Sequence, residues 1–590
     1  MKYLVFDVET TGLEVYSDFI CASWVVFTVK YKGETVQTST DVLDLVTAMS
    51  KADVLVGHNI ISFDLPLLSR LTYKISNLIK EKKIYDTLVM SRQFFPMRMR
   101  HSVEAWVDTL KHNQYMHKYL QEKVEIDRFE QDNLSNLIKR CEADVIDEVI
   151  ILSYILENKP EQLGGYEYIN HSASFIVEML AGGIPFDKAK ATEIYNHLCL
   201  EECMNRAYVK LALDIKNYNS VRQIDQALKK FYGKGLPLGP PSKKKGERNP
   251  RMSKDDEEEL VKDFPILKYV FAVKDLEKQQ RFIDPNRPEL KTTFFNRHRE
   301  DRTYPSLGLC STVTYRSQYS SPPLNQMDKR IRKCITIEGK GKNTWHMVGF
   351  DLESCEMRIL AHALVIHFGD HTLEKKLNAG VCPKQETLDV FGKLFDKVKE
   401  TPTFTKKDMA KKINFATPYG QQATTTTSLL NLPDYRVNDV QHAIDVRFPE
   451  LNLLNSYLTP LYRDKAEWLK GKIDWDYGNK QKYYTTIKNM FNQNVKASMN
   501  TLVNYYCQSS GATYSKMMFS CLHEEMDSEG MMAQPFVFNH DELNYVSYTQ
   551  PIDGYEGVLE RTYKRFKETY DFPIISNLNY QVGKNWSEIH

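Results

Sequence analysis

The segment WHMVGFDLESCEMRILAHAL, residues 345–364, has the pattern of a buried strand that ends at Asp351 and leads into a helix. A second segment, PFVFNHDELNYVS at 535–547, has the pattern of two short strands with His540 and Asp541 at the turn. The two aspartates converge only if these strands are neighbours in one sheet. In that case they could hold two Mg²⁺ ions about 3.5–4 Å apart for in-line phosphoryl transfer.

A helical segment with nucleotide-binding character, KKDMAKKINFATPYG at 406–420, lies between them. Four of its side chains recur every four residues and so share one helix face: Lys407, Lys411, Phe415 and Tyr419. The lysines suit a triphosphate and the rings suit a stacked base. A lysine stripe alone is usually a solvated face, but its place between two carboxylate strands favours binding. Pro418 is expected to end or kink this helix.

The N-terminal segment contains a second set of acids. Asp7 and Glu9 alternate along the first predicted strand and therefore share one face. Asp64 follows in GHNIISFDLP, at a turn into a helix, and Asp144 lies on a strongly amphipathic helix. A single aspartate is usually solvated, but four acids from three elements match what a two-metal phosphodiester site requires.

Composition excludes several classes of protein. With 590 residues, 42% hydrophobic and 26% charged, the chain is a multidomain globular protein rather than a collagen-like, disordered or coiled-coil one. Lys plus Arg number 78 and Asp plus Glu 77, so the net charge of +1 argues weakly against nucleic-acid binding over the whole surface. Any such binding must depend on local charge.

Three further features concern the compartment. The ten cysteines are scattered, which is typical of reduced thiols in a cytosolic protein. The N-terminus MKYLVFDVET has an acid where a signal peptide would still be apolar. No apolar run approaches the roughly 18 residues that a membrane span needs. The sequence therefore predicts a cytoplasmic protein without a membrane partner.

The segments at 345–364, 406–420 and 535–547 resemble, in this order, the A, B and C motifs of family A DNA polymerases. The resemblance implies that Asp351 and Asp541 are the catalytic metal ligands, with Glu542 beside them. The positions that would bind the incoming dNTP are Lys407, Lys411, Phe415, Tyr419 and Glu356. Of these, Lys411 could also protonate pyrophosphate, and Glu356 would exclude a 2′-hydroxyl.

Further segments resemble the same family. STVTYRSQYSSPPLNQMDKRIRK resembles a palm segment, NSVRQI a thumb signature, and MNTLVNYYCQSSGA a helix near the primer-template. The residues that would contact DNA are Arg316, Gln326, Asn500, Gln508 and His540. The ending GKNWSEIH resembles that of T-odd phage polymerases. Glu353 departs from the family, which usually has a small residue there; it is either a further metal ligand or points away.

The N-terminal segments DVETTG and GHNIISFDLP, with an aspartate on a late helix, resemble the proofreading 3′–5′ exonuclease domain of many DNA polymerases. The implied metal ligands are Asp7, Glu9, Asp64 and Asp144. The family usually orients the attacking water with Tyr four residues before the last Asp, or with His five before. Arg140 and Lys139 stand there instead, and because arginine cannot act as a base, weakened proofreading is expected.

The resemblance covers almost the whole chain and implies an α/β and α+β multidomain protein. A ribonuclease H-like exonuclease domain at 1–160 would precede a right-hand polymerase domain at 161–590. Within the latter we predict a thumb at about 165–300, a palm at about 300–370 and 500–590, and fingers at about 370–500. The implied cofactors are two Mg²⁺ at the polymerase site and Mg²⁺ or Mn²⁺ at the exonuclease site.

The predicted function is DNA-directed DNA synthesis with proofreading, replicating phage DNA in the bacterial host cytoplasm. The predicted partners of a monomeric enzyme are primer-template DNA and dNTPs, with a phage helicase-primase as a candidate. Host thioredoxin is not expected, because the insertion that binds it has no room here. The alternatives are a single-subunit RNA polymerase, a polymerase whose exonuclease domain is only structural, a non-catalytic primer-template binder, and a nuclease acting on RNA ends.

Overall fold

The computed structural model describes residues 1–28, 30–112, 134–215, 217–239, 249–253, 257–339, 345–380, 383–398, 405–417, 421–430, 432–470 and 485–589. The chain divides into two compact units. The first comprises Met1–Gly182, Gly308–Gln318 and Val348–Gln581. The second comprises Gly183–Leu307, Tyr319–Met347 and Val582–His590.

The first unit begins with a five-stranded mixed sheet, which we call the N-terminal sheet. Its strands are β1 (Lys2–Thr10), β2 (Phe19–Thr28), β3 (Gln37–Ser39), β4 (Val54–Gly57) and β5 (Lys83–Asp86). Their order is β3-β2-β1-β4-β5, with β1 antiparallel to β2 and parallel to β4. Leu4, Val5 and Phe6 of the central strand are fully buried, because helices cover the sheet.

Helices lie between these strands and after them along the chain. They are α1 (Val42–Ser50), α2 (Asp64–Leu71), α3 (Lys74–Glu81), α4 (Thr87–Phe94), α5 (Val103–His112), α6 (Leu134–Asn158), α7 (Leu163–Asn170) and α8 (Ala173–Gly182). The long helix α6 packs against β1 and β2. Its face toward the sheet contains Val145, Val149 and Leu152, which are buried. This packing brings acids of α6 close to acids of β1.

The second unit contains helices and short strands. They are β6 (Ile184–Pro185), β7 (His298–Arg299), β8 (Arg302–Thr303), α9 (Lys188–Leu213), α10 (Val221–Tyr232), α11 (Glu257–Asp263), α12 (Leu267–Gln280) and α13 (Lys329–Arg332). Its apolar core includes Val209, Ile224, Leu228, Leu267 and Val270. A separate strand pair consists of β9 (Ser306–Gly308) and β10 (Gln318–Ser321).

After β11 (His346–Leu352), the first unit continues with a helical stretch. The helices are α14 (Cys355–Phe368), α15 (Thr372–Asn378), α16 (Pro383–Phe391), α17 (Lys406–Ala416), α18 (Ala423–Leu429), α19 (Val437–Arg447) and α20 (Pro449–Lys470). Several of them share an apolar core that includes Phe395, Ala410, Ile413, Val440 and Phe448. This core fixes one side of α17 and leaves its other side to solvent.

The C-terminal part of the first unit completes a second sheet. The elements are β12 (Thr485–Lys488), β13 (Asn494–Ala497), α21 (Leu502–Ser528), β14 (Ala533–Asn539), β15 (Glu542–Ser547), α22 (Gly554–Tyr570) and β16 (Leu578–Gly583). The four-stranded C-terminal sheet has the order β14-β15-β11-β16, and β12 pairs with β13 separately. The strands from residues 346–352 and 542–547 are therefore neighbours, although nearly 200 residues separate them in the chain.

The prediction of a multidomain protein that mixes helices and sheets is confirmed. The domain boundaries, the ribonuclease H-like fold of 1–160 and the right hand of 161–590 stay predictions. In the part of the chain that the structure describes, no helix has the length and hydrophobicity needed to cross a membrane. Nine cysteines within it are free thiols, and Cys382 lies outside the described residues.

Candidate active site

Asp351 and Asp541 lie at one edge of the C-terminal sheet. The backbone N–H of Leu352 donates to the carbonyl of Asp541 over 2.9 Å, which aligns the two positions across β11 and the β14–β15 turn. The strand pairing on which their predicted convergence depended is present. Loss of surrounding water and the negative charge of Asp541 raise the pKa of Asp351 to about 7. Loss of water likewise raises the pKa of Asp541, although Arg316 opposes the shift.

A small recess, open to solvent, lies beside Asp541. The residues that line it are Arg316, Cys355, Glu356, Gln508, Gly511, Ala512, His540 and Asp541. Four predicted positions from separate motifs thus meet Asp541 at one place. His540 has a backbone φ of +61°, and burial together with the cations Arg316 and Lys516 lowers its pKa to about 4. Its imidazole is therefore neutral at pH 7.

Within the recess, the guanidinium of Arg316 forms an ion pair with the carboxylate of Glu356. Glu356 stands in the first turn of α14, directly after the strand that carries Asp351. Burial raises the pKa of Glu356, and the Arg316 charge opposes that shift. The ion pair holds Glu356 in place, and it gives Arg316 a carboxylate partner that is not one of the two aspartates.

Lys516 is a residue of this site that the sequence analysis missed. It is fully buried on α21, and its ammonium donates to the carbonyls of Tyr315 over 3.0 Å and of Ala512 over 2.9 Å. Tyr315 has a φ of +61°, uncommon for a bulky residue, so this bond supports the backbone just before Arg316. The sequence did contain a signal for Lys516: it is a lone lysine in an otherwise apolar helical segment, eight residues after Gln508, and a buried lysine needs polar partners.

Three other predicted positions do not line the recess. Glu542 is 2% exposed on β15, and its Oε1 accepts a hydrogen bond from Asn544 over 2.7 Å. Asn500 is exposed in a short 3₁₀ turn before α21. Gln326 is exposed at the end of another 3₁₀ turn and belongs to the second unit.

The lysine stripe lies on α17, which begins with a reciprocal cap between Thr405 and Asp408. Lys407 and Lys411 are exposed on one face, while Met409 and Ile413 are buried in the core described above. The helix ends at Ala416, as expected from the proline that follows. Phe415 lies in the last turn, and its side chain is outside the described residues, as are Pro418 and Tyr419 as a whole.

Glu353 forms an ion pair with Arg358, with 2.9 Å between Oε2 and the guanidinium NH2. The guanidinium also donates to Asn378 over 3.1 Å, and the backbone N–H of Glu353 donates to the carbonyl of Asn577. The sequence left two alternatives for Glu353, a further metal ligand or a side chain that points away. In the structure its carboxylate is paired with Arg358. The side chain is 46% exposed.

The second set of acids forms the N-terminal carboxylate cluster, defined as Asp7, Glu9, Asp64, Asp144 and Glu148. Oxygen atoms of Asp7, Glu9 and Asp144 lie within 4.8 Å of one another. Burial, followed by the charges of Asp64, Asp144 and Glu9, raises the pKa of Asp7 well above its usual value. Asp64, 4% exposed at the start of α2, has a pKa raised to about 7, chiefly by burial.

Glu148 is a member of this cluster that the sequence analysis missed. It is 2% exposed, and its Oε1 accepts the backbone N–H of His58 over 3.1 Å. Burial and then the charges of Asp7, Asp64 and Asp144 raise its pKa well above the usual value. Its position four residues after Asp144, on the same face of α6, was a usable signal.

Arg140 lies against the same acids. Its Nε is 2.9 Å from Glu9 Oε1 and 3.9 Å from Asp144 Oδ2, and a terminal nitrogen donates to Glu9 Oε2 over 3.2 Å. Arg140, Asp144 and Glu148 recur every four residues of α6 and so share the face toward β1. An all-oxygen donor set fits Mg²⁺ or Mn²⁺, but here one permanent cation already pairs with two of its members.

The family model described as DNA polymerase family A matches residues 191–588, about two thirds of the chain. The chain belongs to DNA polymerase family A. The match includes Arg316, Asp351, the lysine helix α17 and Asp541, and it begins after the N-terminal carboxylate cluster.

Two similar proteins are distant from this chain in sequence. DNA polymerase I of Aquifex aeolicus (strain VF5) is 23% identical over 421 residues, which cover 70% of this chain and 66% of that protein. A solved structure, the POL domain of Pol1 from M. smegmatis in complex with DNA primer-template and dNTP, has a TM-score of 0.72. It is 14% identical, and the match covers 99% of this chain and 96% of that one. At this identity the likeness concerns the fold.

Proposed function

We propose that this chain is a DNA-directed DNA polymerase that extends a primer with dNTPs. The observation that carries the proposal is the pairing of β11 with β15, which aligns Asp351 with Asp541 beside the Arg316 recess. Membership of family A supports the class of reaction. The M. smegmatis structure of similar fold contains primer-template DNA and dNTP, which supports the proposal that these are the substrates here.

Asp351 and Asp541 would hold two Mg²⁺ ions. Asp351 on β11 and Asp541 in the β14–β15 turn are an all-oxygen donor set. Burial and then the charge of Asp541 raise the pKa of Asp351, and a divalent cation would lower the cost of keeping both carboxylates ionised. When bound, the ions would activate the primer 3′-hydroxyl and neutralise charge on the departing pyrophosphate. The neutral imidazole of His540 lies at the same edge and adds no competing cation.

The other residues of this chain would position the substrates. Lys407 and Lys411 are exposed four residues apart on α17, where both ammonium groups can meet a triphosphate. Glu356 is held by Arg316 at the recess, where we expect it to exclude a 2′-hydroxyl. Packing of Phe415 and Tyr419 on the nucleotide, and protonation of pyrophosphate by Lys411, are expected from the family resemblance alone.

The test is primer extension on a matched DNA duplex with Mg²⁺, comparing dNTPs with rNTPs. We expect extension with dNTPs that stops when the metal is chelated, and poor use of rNTPs. Glu356→Ala should raise rNTP use relative to dNTP use. Preferential use of rNTPs by the wild-type chain would instead identify a single-subunit RNA polymerase, and no extension at all would leave only a binding or structural role.

For the N-terminal carboxylate cluster we propose a weak 3′–5′ exonuclease activity on DNA, dependent on Mg²⁺ or Mn²⁺. The supporting observations are that carboxylate oxygens of Asp7, Glu9 and Asp144 lie within 4.8 Å of one another, and that the pKa values of Asp7 and of the nearby Glu148 are raised. The observation that argues for weakness is the contact of Arg140 with Glu9 and Asp144. The cluster lies on different elements from the polymerase site, so the two activities should separate by mutation.

The test uses a 3′-labelled primer with a mismatched end and no dNTPs. The variant Asp7→Ala with Glu9→Ala should lose trimming and keep the extension rate on a matched end. Trimming that survives the double change would place the nuclease elsewhere. If the wild-type chain does not trim with either metal, the N-terminal region has a structural role only.

The biological setting follows from the resemblance to T-odd phage polymerases. We propose replication of phage DNA in the cytoplasm of a bacterial host, by a monomer that has a phage helicase-primase as a candidate partner. No dependence on host thioredoxin is expected. Sedimentation of the purified chain with and without primer-template DNA tests the monomer, and a dimer in both conditions would contradict it.

A further inference from the structure

A third group of titratable side chains lies away from both sites, where α8 packs against α21. Glu178 belongs to α8, and His523 and Asp527 lie one turn apart near the end of α21. His523 is 15 residues beyond Gln508, which places it about 22 Å along the helix from the recess at 1.5 Å per residue. This group therefore has no part in the proposed nucleotidyl transfer.

The three side chains point at one spot. His523 Nε2 is 3.3 Å from Glu178 Oε2 and 3.8 Å from Asp527 Oδ2, and all three ligand atoms lie within 4.8 Å of one another. In a tetrahedral Zn²⁺ site with bonds of about 2.0–2.1 Å, neighbouring ligand atoms are about 3.3–3.4 Å apart. The spacing is thus close to that of a zinc site before any side chain moves.

The imidazole of His523 is the feature that points to a ligand. It is 2% exposed, and its Nε2 makes no hydrogen bond of good geometry, although two carboxylates face it. Its other nitrogen, Nδ1, lies 3.4 Å from the hydroxyl of Tyr545. The two carboxylates favour a proton on Nε2, and a metal ion bound at this spot would displace that proton.

One further contact competes with a metal. The ammonium of Lys80, on α3, pairs with the same Oδ2 of Asp527. Glu178 and Asp527 are 34% and 30% exposed, so the spot is open to solvent on one side and leaves space for a water ligand. A lysine at this position lowers the affinity for a cation without removing the donor set.

We propose that Glu178, His523 and Asp527 bind a Zn²⁺ ion, with water in the fourth position. The imidazole nitrogen selects against Mg²⁺, which prefers six oxygen ligands, and the mixed N and O donor set suits Zn²⁺. The bound ion would join α8 to the C-terminal half of α21 and stabilise the first unit. Lys80 would weaken the site by its charge.

The experiment uses the full chain, stripped with a chelator and titrated with Zn²⁺ in excess Mg²⁺, which occupies the all-oxygen sites. Bound zinc and the midpoint of thermal unfolding, Tm, are measured together. Wild type should bind Zn²⁺ with a rise in Tm. Glu178→Gln and Asp527→Asn, both partly exposed positions, should weaken that binding more than tenfold and lose the rise. Lys80→Gln should tighten it several-fold.

Glu524→Gln is the matched control, because Glu524 lies on the same helix and its side chain, 46% exposed, is paired with Arg565 instead. It should bind Zn²⁺ like wild type. X-ray absorption of the zinc complex should show one imidazole nitrogen among the ligands. Equal zinc binding by wild type and Glu178→Gln, or a ligand shell of oxygen alone, would overturn the proposal. In that case His523 is a protonated partner of the two carboxylates.

Discussion

The two carboxylate sites of the first unit differ in where the nearest arginine lies. At the C-terminal sheet, Arg316 pairs with Glu356, an acid that is not one of the two aspartates. In the N-terminal carboxylate cluster, Arg140 pairs directly with Glu9 and approaches Asp144. Both sites concentrate negative charge and show raised carboxyl pKa values. They differ in whether a permanent cation already contacts the groups that would hold a metal.

Because of this difference, the number of acids alone does not indicate how strongly either site would bind a metal. The N-terminal carboxylate cluster has five carboxylates, but Arg140 already contacts two of them, Glu9 and Asp144. The proposed polymerase site has two aspartates, and its arginine is paired with Glu356. A metal therefore has to displace an ion pair at the first site and meets no such competitor among the contacts described at the second.

The largest effect is expected for Asp541→Asn. Loss of one carboxylate of the pair should lower the rate of primer extension on the order of 10³-fold or more, about 4 kcal/mol at 1.36 kcal/mol per tenfold. DNA binding should change little, because the residue lies at the site of chemistry. Extension rate and binding of a labelled primer-template are the two measurements.

The matched control is Asp571→Asn. Asp571 is exposed at the end of α22 with a φ of +47°, a conformation that asparagine also adopts readily. It should extend primers at the wild-type rate. If Asp541→Asn extended primers as well as this control, the assignment of the polymerase site would be wrong. The difference between the two carboxylate sites would then have no bearing on polymerase activity.

The next largest effect is expected for Arg140→Gln, which tests whether this arginine competes with a metal for the N-terminal acids. Arg140→Gln removes the cation from Glu9 and Asp144, so the rate of trimming at limiting Mg²⁺ should rise about tenfold. This estimate follows because a charged hydrogen bond contributes about 1.5–3 kcal/mol, and the exposure of Arg140 reduces that contribution. The gain should shrink at high Mg²⁺, because the metal then wins the competition. Trimming is measured across a Mg²⁺ titration with a labelled mismatched primer.

Lys139→Gln provides the control for loss of a positive charge from the neighbouring position of α6. It should leave the Mg²⁺ dependence of trimming unchanged. If Arg140→Gln slowed trimming instead, the guanidinium would assist the reaction, and the reason for weak proofreading would lie elsewhere.

A smaller effect is expected for Lys516→Met, which tests the support of the Arg316 recess. The change leaves the carbonyls of Tyr315 and Ala512 without their buried donor, and this should lower the free energy of unfolding by about 1–3 kcal/mol. Because Arg316 follows Tyr315, we also expect KM for dNTP to rise more than kcat falls. Lost stability with unchanged KM would indicate a purely structural lysine.

Much of this arrangement was predictable from sequence, and the omissions share a cause. The strands around Asp351 and Asp541 have strong local patterns, and their order along the chain matched a known set of motifs. Lys516 and Glu148 were missed because each lies on a helix whose pattern otherwise indicates core, so their meaning depends on which helix face meets the sheet. The pairing of Arg140 with Glu9 was beyond sequence, because it depends on the packing of α6 against β1.

The smallest effect is expected for Glu353→Gln, although Glu353 lies two residues after Asp351 in the proposed polymerase site. Glu353 was either a third metal ligand or a side chain turned away, and the structure pairs it with Arg358 at 46% exposure. Because an ion pair this exposed contributes about 0–1 kcal/mol, the extension rate should change by less than about fivefold. A loss comparable to that of Asp541→Asn would show that Glu353 leaves Arg358 to bind metal. The polymerase site would then resemble the N-terminal cluster in having an arginine that competes for one of its ligands.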